Sequence, residues 1–342
     1  MATRLEARQE DDGTVNVVDR TSGKVEGSFE PAPRRKKMWN EERAAFLAAQ
    51  LRFRDDDVVL ATFPKCGTTV AEQMILLLLN NCDTSVLNPG VKNIYNSETG
   101  FGKVWPEVNV FPAEDIEKER ADRIANRGPD AKPGESEPFL TPEDFDKIPG
   151  RRVLKSHFNA DDVFRYFPHL AESKAKLITV SRDPLDACVS TYCHLYEGQR
   201  NYKPKPTMEE FVPIFLGGAS WDLYLQPYGR LSDAITSFEA LHKRDPERAL
   251  LLTYDEIVRD PVQVAFRIAK HLNVECSQDL ADRVAEATRF GKMKAQSGDA
   301  VHFRQGKVGG DNTAKFAEYP GLATSLREQH AKQLEENRAK FQ

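Results

Sequence analysis

The sequence predicts an α/β fold, a single domain with a central parallel sheet flanked by helices. Two observations carry that prediction. Short apolar, β-branched runs at residues 58–62, 152–157, 176–181 and 250–254 are each followed, directly or after a loop, by a segment with helical periodicity. That alternation implies parallel strands covered on both faces. The polar residues also collect where each run ends: Lys65, Lys155, His157, Arg182 and Tyr254. In such sheets ligands bind beyond the carboxyl ends of the strands, so these five residues mark a candidate site.

The first run sets the pattern. Pro64 and Gly67 break it, Thr68 or Thr69 can cap the next helix, and residues 71–79 are strong helix formers, apolar nearly all round. Strand, tight loop with lysine and glycine, then helix is a P-loop-like geometry suited to an anion. Helix-start N–H groups point outward, the helix dipole favours negative charge, and Lys65 adds a full positive one. An ordinary βα turn fits this stretch too. A Walker A loop does not, since the segment has one glycine with the lysine before it.

Composition narrows the classes. The 342 residues, 40% hydrophobic and 9% aromatic, suffice for a packed core. A net charge of −5 argues against a broadly basic nucleic-acid binder. Five cysteines without a C-x-x-C or zinc spacing suit a reducing compartment, and no metal-ligand cluster is visible. Residues 1–12 lack the apolar core of a signal peptide, and no apolar run approaches the roughly 18–20 residues that span a bilayer. A cytoplasmic protein with no membrane partner is expected.

Residues 1–37 are expected to form an N-terminal extension, partly mobile, with a hairpin signal at 14–18 and 24–26 around Ser22-Gly23. Arg34 to Lys37 fits a solvated surface, with nuclear import or an anionic membrane as other readings. The main domain follows over residues 38–342, opening on an amphipathic helix at 41–51. Residues 80–150 carry little periodicity and read as an acceptor-side lid with a short helix near 113–126 and mobility around 128–137. Phe101, Trp105 and Phe111 fit either an acceptor pocket or packing anchors. After residue 181, Asp183 and Pro184 form a cap and first-turn pair, with Leu185, Cys188, Val189, Tyr192 and Tyr196 on one stripe and Ser190 off it. Asp260-Pro261 repeats that grammar before Val264, Ala265, Ile268 and Leu272. A charged final helix is expected over 325–340.

Six matches in order resemble the cytosolic-type sulfotransferases, which use 3′-phosphoadenosine-5′-phosphosulfate (PAPS) and release 3′-phosphoadenosine-5′-phosphate (PAP). They are Pro64-Lys65-Cys66-Gly67-Thr68-Thr69, Leu154-Lys155-Ser156-His157, Arg182 with Ser190 eight residues on, and Tyr254 after its strand. Thr288-x-Phe290-x-x-Met293 and the stretch 303–311 complete the set. The resemblance implies transfer of a sulfuryl group to a hydroxyl or amine of a small-molecule acceptor. It also implies roles: Lys65 and the backbone of Cys66, Gly67, Thr68 and Thr69 hold the 5′-phosphosulfate. Arg182, Ser190, Arg304 and Gly306 hold the 3′-phosphate, with Gln305 in the same loop. Tyr254 and Thr288 reach the adenine edge, Phe290 stacks on it, and Met293 completes that spacing. His157 takes the acceptor proton, and Lys155 neutralises the moving oxygens. Such chemistry rests on placement and charge stabilisation, and it requires no metal.

Three departures matter. Val70 stands where the family commonly has a tryptophan, and Gln305 replaces a lysine, which predicts weaker cofactor binding. Cys66 replaces a frequent serine; it reads as a small spacer, or as a thiol whose pKa the helix start lowers. The family's C-terminal dimer motif is not evident, so a homodimer stays open. A catalytically weak PAP- or PAPS-binding regulatory protein is the alternative function.

Overall fold

A computed structural model describes residues 4–10, 14–29, 41–84, 103–125, 139–197, 204–217, 228–297 and 312–340. The expected mobile stretch 128–137, the basic run at 34–37, Phe101 and the 303–311 loop with Arg304, Gln305 and Gly306 lie outside those residues.

The strands are β1 (Leu5–Gln9), β2 (Val15–Asp19), β3 (Val25–Phe29), β4 (Val58–Ala61), β5 (Lys103–Val104), β6 (Val153–Ser156), β7 (Lys176–Ser181) and β8 (Ala249–Thr253). The last five form one parallel sheet in the order β5-β6-β4-β7-β8. The four strands read from the sequence are all present. β5 is an addition, two residues long, and too short to show periodicity.

Side chains of β4 alternate between two apolar clusters, as a strand's period of two requires. Val59 and Ala61 enter one cluster, Val58 and Leu60 the other. The second face is covered by α2 (Thr68–Leu79) and by helices Pro261–His271 and Gln278–Ala287, through Val264, Ala265, Ile268, Leu280, Ala281 and Val284. α2 is buried from Ala71 to Leu78, in keeping with its all-round apolar sequence. The first face is covered by helices Ala160–Tyr166, Pro184–Tyr192 and Leu231–Arg244, with the final helix Leu322–Ala339 outside them.

The N-terminal ribbon has three antiparallel strands, not a hairpin of two, in the order β1-β2-β3. Its Leu5, Val15, Val17 and Phe29 join the first cluster, and the sheet packs against helix Met208–Gly217.

Strand order explains where a site forms. The chain leaves β4 toward β5, returns to β6, and then crosses to β7 on the other side of β4. That reversal opens a crevice at the carboxyl end of β4, flanked by β6 on one side and β7 on the other.

Candidate active site

The loop after β4 fills that crevice. Lys65 and Gly67 both take positive φ, 64° and 112°, and α2 begins at Thr68. A lysine in this region is uncommon, so the surrounding packing must hold it there. Gly67 occupies the N-cap position with no side-chain cap, which corrects the expectation that Thr68 or Thr69 would cap the helix. Thr68 Oγ1 instead lies 2.5 Å from Thr62 Oγ1, tying the loop's two ends together. A Cβ at Gly67 would meet Tyr254 Cδ2 at 2.8 Å, so only glycine lets the loop sit against that ring.

On the β7 side, the Arg182 guanidinium donates to the Lys65 carbonyl at 3.0 Å and lies 4.2 Å over the Tyr254 ring. Its Nε is buried and has no hydrogen-bond partner among the described residues, and Asp186 lies 3.9 Å from its Nη2. Asp183 caps the next helix through the Leu185 and Asp186 N–H groups, and Pro184 takes the first turn. Ser190, half-buried, stands on that helix, where its carbonyl accepts the Cys193 N–H.

On the β6 side lies His157. Its Nδ1 is 2.7 Å from the Thr62 carbonyl oxygen, which can only accept, so Nδ1 carries the proton and Nε2 keeps its lone pair. Burial, with Lys155, Lys103 and Lys65 nearby, holds the imidazole well below the ordinary value of 6.5. Trp105 and Tyr228 meet it edge-on at 5.0 and 5.4 Å. The Lys155 ammonium sits 3.5 Å above the same Trp105 ring. Trp105 is thus part of the site. Phe111 instead packs against Phe139 with the Arg43 guanidinium over it at 3.8 Å, as an anchor.

Further along the crevice the Tyr254 helix, Tyr254–Arg259, starts directly after β8. Thr288 ends helix Gln278–Ala287 and donates its hydroxyl to the Val284 carbonyl at 2.8 Å. Phe290 opens the following helix, Phe290–Ser297, with Lys294 5.9 Å from its ring centre, and Met293 is buried. Val70 is half-buried against the second apolar cluster. Cys66 is fully buried, and burial pushes its thiol up to about 12, so the helix start does not make it reactive. Its role is that of a spacer.

Two residues escaped the sequence reading. Glu107 lies in the short helix Pro106–Asn109 (α3); it accepts from Ser156 Oγ at 2.9 Å and from the His157 N–H at 3.2 Å. Lys103 on β5 forms a buried ion pair with Glu72 of α2 at 2.7 Å. No motif announced either one. The only hint was the placement of charge within an otherwise apolar helix and strand.

A loop with left-handed residues at a helix start, with Arg182 on one side and His157 and Lys155 on the other, is an arrangement suited to an anion. The chain belongs to the sulfotransferase family: the sulfotransferase domain model matches residues 55–317. A luciferin sulfotransferase of Photinus pyralis is 24% identical over 251 residues, 70% of this chain and 57% of that protein. Mouse sulfotransferase 1B1 is 26% identical over 244 residues, 70% of this chain and 65% of its own length. The match therefore spans less than two thirds of each of these two relatives. Among solved structures, mouse SULT7A1 complexed with PAP superposes with a TM-score of 0.55 at 20% identity, covering 85% of this chain and 94% of that one. A retinol dehydratase in complex with androsterone and PAP gives 0.58 at 19%, covering 98% and 97%. At these identities the likeness is one of fold.

Proposed function

We propose that this protein transfers a sulfuryl group from PAPS to a hydroxyl or amine of a small-molecule acceptor, with His157 as general base. One observation carries the reading: His157 is fixed as the Nδ1–H tautomer by the Thr62 carbonyl, inside the same loop that builds the anion cradle. A single element therefore sets both the base and the donor site.

The residues suit such a nucleotide. The α2 start with its left-handed neighbours offers backbone N–H groups, and Arg182 Nε is a buried donor without a partner among the described residues. Lys65 and the backbone of residues 66–69 would hold the 5′-phosphosulfate. Arg182 and Ser190 would hold the 3′-phosphate, while Tyr254, Thr288, Phe290 and Met293 would line the adenine. PAPS, when bound, supplies the sulfuryl group and a stable phosphate leaving group.

The chain's own contribution is threefold. His157 Nε2 accepts the proton of the acceptor, which an unassisted hydroxyl gives up poorly at neutral pH. Lys155, steered by the Trp105 face, places positive charge where oxygen charge grows. The apolar walls exclude water from both.

Arg304, Gln305 and Gly306 complete the reading as 3′-phosphate residues, with Gln305→Lys expected to tighten PAP binding. Acceptor contacts from residues 80–150, the boundary near residue 37 and a cytoplasmic location belong to the same proposal. Among the described residues no helix is long and apolar enough to cross a membrane. The androsterone and PAP held by the retinol dehydratase neighbour support a small-molecule acceptor.

The test is transfer of labelled sulfate from PAPS to the small molecules of a cell extract, read by mass spectrometry, with His157→Ala as control. Labelled products that vanish in the control are expected. Undiminished turnover in His157→Ala removes the base. Tight PAP binding without any transfer favours the regulatory alternative.

A further inference from the structure

The backbone of His157 lies at a gap in the sheet. β5 pairs with β6 only at Lys103↔Val153 and Val104↔Leu154, after which its chain turns away into α3. On the other side, Thr62 N–H donates to the Ser156 carbonyl at 3.1 Å, so the next N–H, that of His157, faces the side where β5 has ended. Glu107 fills the vacancy. Its Oε1 takes the His157 N–H at 3.2 Å and the Ser156 hydroxyl at 2.9 Å, and Ser156 Oγ in turn accepts the Phe158 N–H at 3.1 Å. α3 itself is anchored by Arg43, whose guanidinium donates to the carbonyls of Glu107 and Val110 at 3.1 and 2.7 Å.

We propose that Glu107 is a positioning residue for His157: its carboxylate stands in for the missing strand neighbour and holds the backbone that aims the imidazole. The inference rests on reading His157 as the base. The groups that face the imidazole are Lys155 from β6, Lys103 from β5 and Lys65 from the cradle loop, with Glu72 of α2 engaged by Lys103. The Trp105 and Tyr228 rings close the remaining sides.

The second oxygen, Oε2, is buried, and the donors to the carboxyl, the Trp105 indole, the Ser156 hydroxyl and the His157 N–H among them, only partly offset that burial. Burial accordingly pushes the Glu107 carboxyl up to about 7. Glu107 thus changes charge above the range in which His157 does.

The test is nitrogen-15 resonance of histidine-labelled full-length protein without nucleotide or acceptor, the His157 signals being assigned by their loss in His157→Gln. The wild type is expected to show the Nδ1–H tautomer, with an inflection near pH 7 before the imidazole's own titration. Glu107→Gln should keep the tautomer and lose the inflection while the imidazole's own midpoint moves little, because Glu107 is already protonated where the imidazole titrates. Glu107→Asp keeps the charge with a shorter reach, so it retains an inflection and provides a second arm if the amide variant fails to fold. With PAPS and 2-naphthol as probe acceptor, Glu107→Gln should cut kcat about tenfold while acceptor KM moves less than about twofold. A His157 tautomer and titration identical in wild type and Glu107→Gln overturns the proposal. An inflection that follows Glu107 in a protein that sulfates no acceptor upholds the positioning and instead defeats the transfer reading.

Discussion

The two central strands, β4 and β6, have opposite chemistry at their two ends. At the amino end, Asp57 precedes β4 and Arg152 precedes β6, and the two form a buried bidentate pair with contacts of 2.8 and 2.5 Å. The remaining guanidinium donors go to the carbonyls of Phe145 and Arg52 at 3.1 and 2.8 Å, and the group lies 4.2 Å over the Phe145 ring. Opposite charges are matched there and closed off from solvent. At the carboxyl end, the same strands deliver Lys65, Lys155 and His157, and β7 adds Arg182. Two of those cations rest on aromatic faces, and Arg182 on a loop carbonyl as well. Charge that is matched holds strands together. Cations gathered around a loop favour an anion within it, here with the Asp186 carboxylate 3.9 Å from Arg182.

That contrast can be broken by experiment, beginning with the largest effect. His157→Ala should lower sulfuryl transfer about 10²–10⁴-fold, leaving PAP affinity and unfolding midpoint near those of the wild type. Asp57→Asn should do the reverse: unfolding in urea should reveal a loss of about 3–5 kcal/mol, because Arg152 is left buried without its counter-charge. Its turnover per folded molecule should hold. If Asp57→Asn were stable but slow, the division between the two ends would be wrong.

Gly67→Ala touches both functions at once. The positive φ and the Tyr254 contact should cost about 1–3 kcal/mol in unfolding, with weaker PAP binding by calorimetry. The smallest effect is the pH dependence. His157 must be neutral to act and is held well below 6.5, so the main acid limb of kcat/KM should fall below that pH, beneath a shallow step near 7 from Glu107. The same sign applies to stability. The unfolded histidine protonates near 6.5 and the folded one only lower, so the His157 site gives up stability as pH falls through 6.5 and does not above it.

Much of this was legible in the chain. The strands announced themselves because apolar β-branched runs must be buried, and Asp183-Pro184 and Asp260-Pro261 cap helices as their residue types favour. The placement of Lys65, His157 and Arg182 at strand ends followed from the same alternation. Glu107 was not legible, because its partner is a backbone N–H fifty residues away, exposed only by the early end of β5. β1 and β5 were missed for a shared reason: β1 has only Leu5 and Ala7 as apolar positions and β5 has two residues, so each is too short to show a sustained period. The cap of α2 was misassigned because the threonine hydroxyl found Thr62 instead of its own helix.

One asymmetry of the sheet has a consequence for how such a protein can change. β8 is joined to β7 over five residue pairs, whereas β5 is joined to β6 over two. Arg182 and Tyr254 therefore stand on a broad, deeply paired flank, while Trp105 and Glu107 stand on a narrow margin that few backbone bonds secure. Substitutions along that margin disturb few backbone pairings and reshape what meets His157. In the proposed reaction, the acceptor side can thus vary while the nucleotide side stays fixed.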